Sequence, residues 1–377
     1  MLVTTLMRNL NSNLTRLDKL QNQMATGRKF AHISDDPAAL IYSQAARNKL
    51  ARLFHYARTV DTAQDWLRQS EAGVMELQQT LVNAYEAAVD AATDGKTGDD
   101  KENIAKTIAQ LRNHFVDTLN ATFGDKYVYA GYNTPGDPAG HPSDIFLNEG
   151  VKSFTVIDGR LHFNGFDLSA FDGMPAALLE VNLSGLTPAE AEARLTGIIT
   201  DPAGLNANIT TFFDDYDFDM QGLLMMHRLK NDVLTLDVGP GISMPVTMNG
   251  IDLVLFTTIT EKGPIVRNAF NVLTDLYEGT NNDMPAAEIT KIIAPLQDGQ
   301  NHLLTRNSEI GGRVRRLDLL EARYEQDAIN YERMRSDAED ADMAEVIINL
   351  KMAEAVYQAA LSAGARIIQP TLMDFLR

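Results

Sequence analysis

Along the last 75 residues, apolar side chains recur at spacings of three and four. Leu303, Ile310, Leu317, Leu320, Tyr324, Tyr331, Met334, Ala338 and Ala341 share one helical stripe. The phase then slips by two. A second stripe runs through Met343, Val346, Leu350, Ala353, Tyr357, Ala360, Gly364 and Ile367. No proline interrupts Leu303 to Ile368, and a continuous helix there would be about 100 Å long. A 3–4 repeat of this length is a coiled-coil signature, and the slip is a discontinuity in it. A single stripe needs a partner stripe to bury it.

The other end of the chain offers one. Val3, Leu6, Leu10, Asn13, Leu17, Leu20 and Met24 are also spaced 3, 4, 3, 4, 3, 4. The two termini are expected to pack together as long, coiled-coil-like helices. The candidate assembly residues are Val3, Leu6, Leu10, Leu17, Leu20 and Met24 with Met343, Val346, Leu350, Tyr357, Leu361 and Ile367. The plainer alternative is a helical bundle with no role beyond its own fold.

The first helix should end near Gly27, because glycine commonly follows a helix C-terminus. Ser34-Asp35-Asp36-Pro37 reads as a helix start: a capping side chain, negative charge on the dipole and proline in the first turn. Asp35 and Asp36 could be metal ligands, but no third ligand is near and capping is the better reading. A long second helix over about 38–92 carries Ala46, Leu50, Leu53, Ala57, Val60, Leu67, Val74, Leu77, Leu81, Ala84 and Ala88 on one face. After a turn at Asp94–Gly98, a third runs over about 100–123, with Ile104, Ile108, Leu111, Phe115 and Leu119 inward.

Composition changes after Gly124. Tyr127-Val128-Tyr129-Ala130-Gly131-Tyr132 reads as a strand. Phe154–Ile157 and Leu161–Phe163 flank Asp158-Gly159, a hairpin signal. Val233–Val238 and Val246–Met248 flank a Gly239-Pro240-Gly241 loop, and Asn249-Gly250 reads as a turn before a strand at Leu253–Phe256. A short helix is expected over Pro188–Ile199. Helices resume after Gly263-Pro264 with one at about Ile265–Tyr277, and another opens near Pro285, with a possible kink at Pro295. The fold class is therefore mainly α with an inserted β-rich domain.

Charge sharpens this division. Residues 1–133 carry 15 acidic and 15 basic side chains, residues 134–300 carry 23 and 8, and residues 301–377 carry 13 and 10. The middle thus holds −15 of the net −18. Such a surface repels nucleic acid and anionic membranes, while the nearly neutral ends suit packing on one another. There is no cysteine, which removes disulfides and thiol chemistry. No apolar run is long enough for a membrane span, and Thr4, Thr5, Arg8, Asn9 and Asn11 stand where a cleavable signal would be apolar.

Ligand motifs fail on spacing. Gly95-Lys96-Thr97 resembles the end of a phosphate loop, but Asp90 stands where the pattern needs glycine. Asp215, Asp217 and Asp219 begin like a calcium loop, but Met220 and Met226 occupy the required glycine and glutamate positions. The seven histidines never fall at zinc-ligand spacing. The sequons at Asn13, Asn120, Asn182 and Asn208 are read as chance. No cofactor or metal is expected. An enzyme with an acidic cleft in the middle domain has only carboxylate density behind it, and charge runs are usually solvated faces.

The two ends together resemble the flagellin superfamily. The matching residues are Gln21–Lys29 and Ser34–Ala39 at the N-terminal side, with Tyr127-Val128-Tyr129-Ala130-Gly131. At the C-terminal side they are Gly312–Asp318, Ser336–Glu345, Tyr357–Leu361 and Leu372–Leu376. Ser-Asp-Asp-Pro and the Leu-Met-Asp-Phe-Leu ending fit the hook-associated branch. The Ile-Asn-Thr-Asn-like opening and Lys-Asp-Asp-Ala-like turn usual in filament flagellins are absent. The resemblance implies an inner domain from 1–33 and 343–377, an intermediate helical bundle from 34–133 and 264–342, and a β-rich outer domain over 134–263. The loop 27–37 and the slip at 341–343 would then form one joint. It implies a structural, non-enzymatic subunit at the hook–filament junction of the bacterial flagellum, with filament flagellin as the alternative. The implied partners are further copies in a ring or helical array, a neighbouring hook-associated protein, flagellin and an export chaperone, with the chain secreted by the flagellar type III route.

Overall fold

The computed structural model describes residues 2–30, 32, 35–93, 96–124, 126–131, 153–163, 166–168, 171–172, 186–200, 233–261 and 263–373, with the side chains at 2–3, 192, 198–200 and 366–373 outside the description. The described residues are mostly helical, with small antiparallel sheets in the middle of the chain. Two compact units emerge: residues 1–57 with 321–377, and residues 58–320.

In the first unit, α1 (Leu2–Thr26) packs against α8 (Met343–Met373). Helix α1 stops because Gly27 adopts φ +69°, a left-handed conformation that glycine reaches without steric cost, and its N–H donates to the Gln23 carbonyl at 2.8 Å. Helix α2 (Pro37–Ala91) starts where Asp36 Oδ1 accepts the Ala39 N–H at 2.9 Å, so Asp36 is the capping side chain. Ser34 lies outside the described residues. Helix α7 (Ala286–Glu339) runs antiparallel to α2, and in this unit Tyr56 stacks on Tyr324 at 6.4 Å between ring centroids. The phase slip is a true helix break: α7 ends at Glu339, and Asp342 Oδ1 accepts the Ala344 N–H at 2.9 Å to open α8.

The second unit holds the larger core. Leu67, Val74, Leu77, Leu81, Ala84 and Ala88 of α2 are fully or almost fully buried, with Ile108, Phe115 and Leu119 of α3 (Gly98–Leu119) and Leu303, Ile310 and Leu317 of α7. Gln64 Nε2 donates to Asp318 at 2.9 Å, and Gln300 Nε2 donates to the Leu81 carbonyl at 3.0 Å, which fixes the antiparallel register here. Helix α3 opens with a capping box: Thr97 accepts the Asp100 N–H, and Asp100 accepts the Thr97 N–H.

The strands lie in four small sheets among the described residues. They are β1 (Thr122–Phe123) with β2 (Lys126–Tyr127), and β3 (Phe154–Ile157), β4 (Arg160–Phe163) and β5 (Phe166–Asp167). Beyond α4 (Pro188–Thr200) come β6 (Thr235–Gly239) with β7 (Ile242–Pro245), then β8 (Leu255–Thr260) with β9 (Gly263–Asn268). Asp158 and Gly159 have φ +49° and +79° at the β3–β4 turn, the pair of positive values that an Asp-Gly hairpin needs.

Two expectations are corrected. Asn249 is not a hairpin turn; its Oδ1 accepts the Ile251 N–H at 3.0 Å and caps the short helix α5 (Gly250–Val254). The segment from Ile265 is not helical either. Ile265 and Val266 pair with Thr258 and Thr257 in β9, and helix resumes only at α6 (Ala269–Asn281), capped by Asn268. Gly263-Pro264 resembles a helix start, but the β-branched run from Thr257 to Thr260 supplies a strand partner, and pairing wins over local propensity.

Candidate assembly surface

The seam joining α1 and α8 is narrow. Leu20, Leu350 and Ala353 form its buried cluster, with Leu17 packed against it. Leu6, Leu10, Asn13, Leu17 and Leu20 turn toward α8, and Val346, Leu350, Ala353, Tyr357, Ala360 and Gly364 turn toward α1. At Gly364 a Cβ would come within 3.1 Å of Leu6 Cδ2, so the small residue allows the helices to approach closely.

The structure divides the twelve sequence candidates. Leu6, Leu10, Leu17, Leu20, Val346, Leu350 and Tyr357 lie in the intrachain seam, whereas Met24, Met343 and Leu361 are exposed. Gln23 turns inward in place of Met24, and its Nε2 donates to the Lys29 carbonyl at 2.5 Å. The side chains of Val3 and Ile367 lie outside the description.

The single-phase reading missed the far side of α8. Ile348, Met352, Ala355, Ala359 and Ala363 recur at spacings of three and four, Val356 lies beside Ala355, and all six are exposed. At about 100° per residue, this stripe is centred about 130° around the helix from the Val346–Gly364 seam. Ile348, Met352 and Val356 are each more than half exposed. A helix with a second apolar face outside its seam needs a second partner, and α1 covers only the first. Counting both phases of the apolar pattern would have found it.

Where the terminal pair meets the long helices, two short segments join backbone to backbone. Arg28 bridges Asp340, with the Lys29 N–H donating to the Glu339 carbonyl at 2.7 Å and the Ala341 N–H donating to the Gly27 carbonyl at 2.8 Å. Lys29 Nζ also donates to the Asp337 carbonyl at 2.5 Å. Beneath this bridge, Glu339 is 4% exposed. Arg47 donates to its two carboxylate oxygens through Nε and Nη2, each at 2.6 Å, and the Ser43 hydroxyl donates to Oε1. The Arg47 fork, then the Ser43 hydroxyl, hold the Glu339 carboxyl down at about 2 against the opposing effect of burial. Arg47 and Glu339 are 292 positions apart, and no local signal pairs them.

The rejected ligand motifs have other uses. Lys96 pairs with Asp90 at 2.8 Å and Thr97 caps α3. Asp35 accepts the His32 N–H at 3.0 Å and pairs with Lys19 at 3.3 Å. Asp215, Asp217 and Asp219 lie outside the described residues. Among the described residues, no cluster of three or more His, Asp or Glu is arranged to hold a metal ion, and no helix is long and apolar enough to cross a membrane.

The family described as the bacterial flagellin N-terminal helical region matches residues 1–134. Over that region the chain is similar to the N-terminal helices of flagellins. It is 32% identical over 138 residues to flagellar hook-associated protein 3 of Escherichia coli, covering 35% of this chain and 42% of that protein. It is 27% identical over 121 residues to the same-named protein of Salmonella typhimurium, covering 32% and 38%. The matches thus span about two fifths of the length of these relatives. The crystal structure of flagellar hook-associated protein 3 from Legionella pneumophila aligns over 78% of this chain and 99% of its own, with a TM-score of 0.51 and 9% identity. At that identity the likeness speaks for the fold alone.

Proposed function

We propose that this chain is a structural subunit of the bacterial flagellum, forming the junction between hook and filament and assembling through its terminal helices. The observation that carries the reading is α8, which has two apolar faces with one covered by α1. In water such a face is a liability, and in an array it is the surface on which the next copy packs. The relatives named hook-associated protein 3 support the choice of junction over filament.

In this reading the partners are further copies of the chain in a ring or short helical array, a neighbouring hook-associated protein on one side and flagellin on the other. A dedicated export chaperone would cover the apolar termini before secretion to the growing flagellum. The segments 1–33 and 343–377 form the inner layer, 34–133 with 264–342 the intermediate bundle, and 134–263 the acidic outer domain. No catalytic step is assigned. A strain lacking the protein should build hooks and secrete unassembled flagellin. Hooks that still carry full-length filaments would contradict the reading.

A further inference from the structure

Glu339 is the last residue of α7, and its two ends do different work. The side chain reaches across to α2, where Arg47 and Ser43 take both carboxylate oxygens. The main-chain carbonyl accepts from Lys29, in the segment that follows α1. One residue therefore ties the long-helix pair to the segment that carries the terminal pair. The terminal pair has its own seam, and the polypeptide passes between the two helix pairs only through residues 27–36 and 340–342.

A buried carboxylate is a poor source of net stability, because desolvation offsets much of its attraction to a partner. An apolar contact at the same place would hold the helices as well and would tolerate sliding. A two-pronged arginine–carboxylate contact does not, because both oxygens are matched to both nitrogens in one geometry. The charged groups around Glu339 all belong to this arrangement. Arg47 approaches from α2 and Arg28 from the bridging segment, while Lys29 sits on the carbonyl of Asp337, and Asp340 on the bridge is taken by the Ser336 hydroxyl at 2.5 Å.

We infer that the Ser43–Arg47–Glu339 cluster is a latch that fixes the C-terminal end of α7 on α2 and, through the Glu339 carbonyl, the angle at which the terminal helix pair leaves the long helices. With the latch broken, the helices persist but the joint samples other angles. That the angle matters for assembly rests on the junction reading above: copies in an array must present the Ile348–Met352–Val356 face in one orientation. The latch itself is a property of the free chain.

Amide hydrogen exchange on the full-length protein tests it, with Glu339→Gln and Arg47→Lys compared against the parent. Arg47→Lys keeps the charge and removes the fork. The Lys29 and Ala341 amides should exchange at least about tenfold faster in both variants, while the amides of α3 and α6 keep their parental rates. Parental rates at Lys29 and Ala341 would overturn the proposal. So would a rate increase spread equally over α3 and α6, which would make the cluster a general stabiliser. Because the exchange is read on unassembled protein, its result is independent of where the protein localises, and the junction reading fails separately if the parent is absent from hook tips.

Discussion

The hydroxyl of Tyr129 rests against Gly73. Tyr129 is fully buried, its Oη donates to the Ser70 carbonyl at 2.8 Å, and a Cβ at Gly73 would lie 2.2 Å from that oxygen. The glycine in the middle of α2 is thus the gap that admits the aromatic ring of the 126–131 segment. Gly73→Ala should destabilise the 58–320 unit by about 1–3 kcal/mol through overpacking, despite alanine's better helix propensity. Tyr129→Phe should cost about 1 kcal/mol for the lost hydrogen bond. The double variant should be less unstable than the sum, because removing the hydroxyl relieves part of the clash. Urea unfolding of the four proteins checks this, and strict additivity would show that the two residues do not meet.

Stability should depend on pH in two opposing ways. The Glu339 carboxyl is held at about 2 by Arg47 and Ser43, below its ordinary 4.5. Its contribution to the 1–57/321–377 unit is therefore fully present above about pH 4.5 and lost as pH falls toward 2, amounting to about 3 kcal/mol at most. Asp275 is pushed up to about 6, first by burial and then by Asp172. Folded protein binds that proton more tightly than unfolded protein, so this contribution is present below 3.8 and fades as pH rises through 6. Asp275 keeps an open face to solvent, so screening holds the effect under about 1 kcal/mol. In unfolding curves from pH 2 to 8, Glu339→Gln should destabilise the 1–57/321–377 unit relative to the parent above pH 5 and converge with it near pH 2, with the 58–320 unit unchanged. Asp275→Asn should gain slightly on the parent above pH 6. The opposite signs would refute both assignments.

The sequence carried what is local and periodic. The Leu20–Leu350 seam follows from apolar spacing, and Gly27 and the Asp158-Gly159 turn follow from backbone permissiveness. The slip at 341–343 is legible as a discontinuity, and the structure adds its cause, with Asp342 capping a new helix. What was illegible is non-local or two-valued. Ile265 and Val266 suit strand or helix until Thr257 and Thr258 are known to lie opposite. The Arg47–Glu339 fork has no local signature. The outer stripe of α8 was hidden because one apolar phase had already been assigned, and small alanines fill much of the second.

The two faces of α8 should respond differently to a charge. Met352→Glu and Val356→Glu change side chains that are 54% and 53% exposed, so the monomer's stability should stay within about 0.5 kcal/mol of the parent. Self-association should be lost, because the new carboxylate would be buried without a partner in the array. Leu350→Asp strikes the inner seam. That seam buries little beyond Leu17, Leu20, Val346, Leu350 and Ala353, so the terminal pair should melt on its own, leaving the main unfolding transition unchanged. Protease digestion of the free chain should trim both termini first and stop near the Arg28–Asp340 bridge, and Leu350→Asp should hasten that trimming. Sedimentation, thermal unfolding and timed digestion read these outcomes. Normal association of the glutamate variants would show that the outer face of α8 is not an interface.

The central claim is that this chain occupies the boundary between hook and filament. The most direct measurement is to label the protein on intact flagella and image where it lies. A single short band where each hook ends, with none along the filament, is the predicted result. Label running the length of the filament would make the chain a filament subunit and contradict the account.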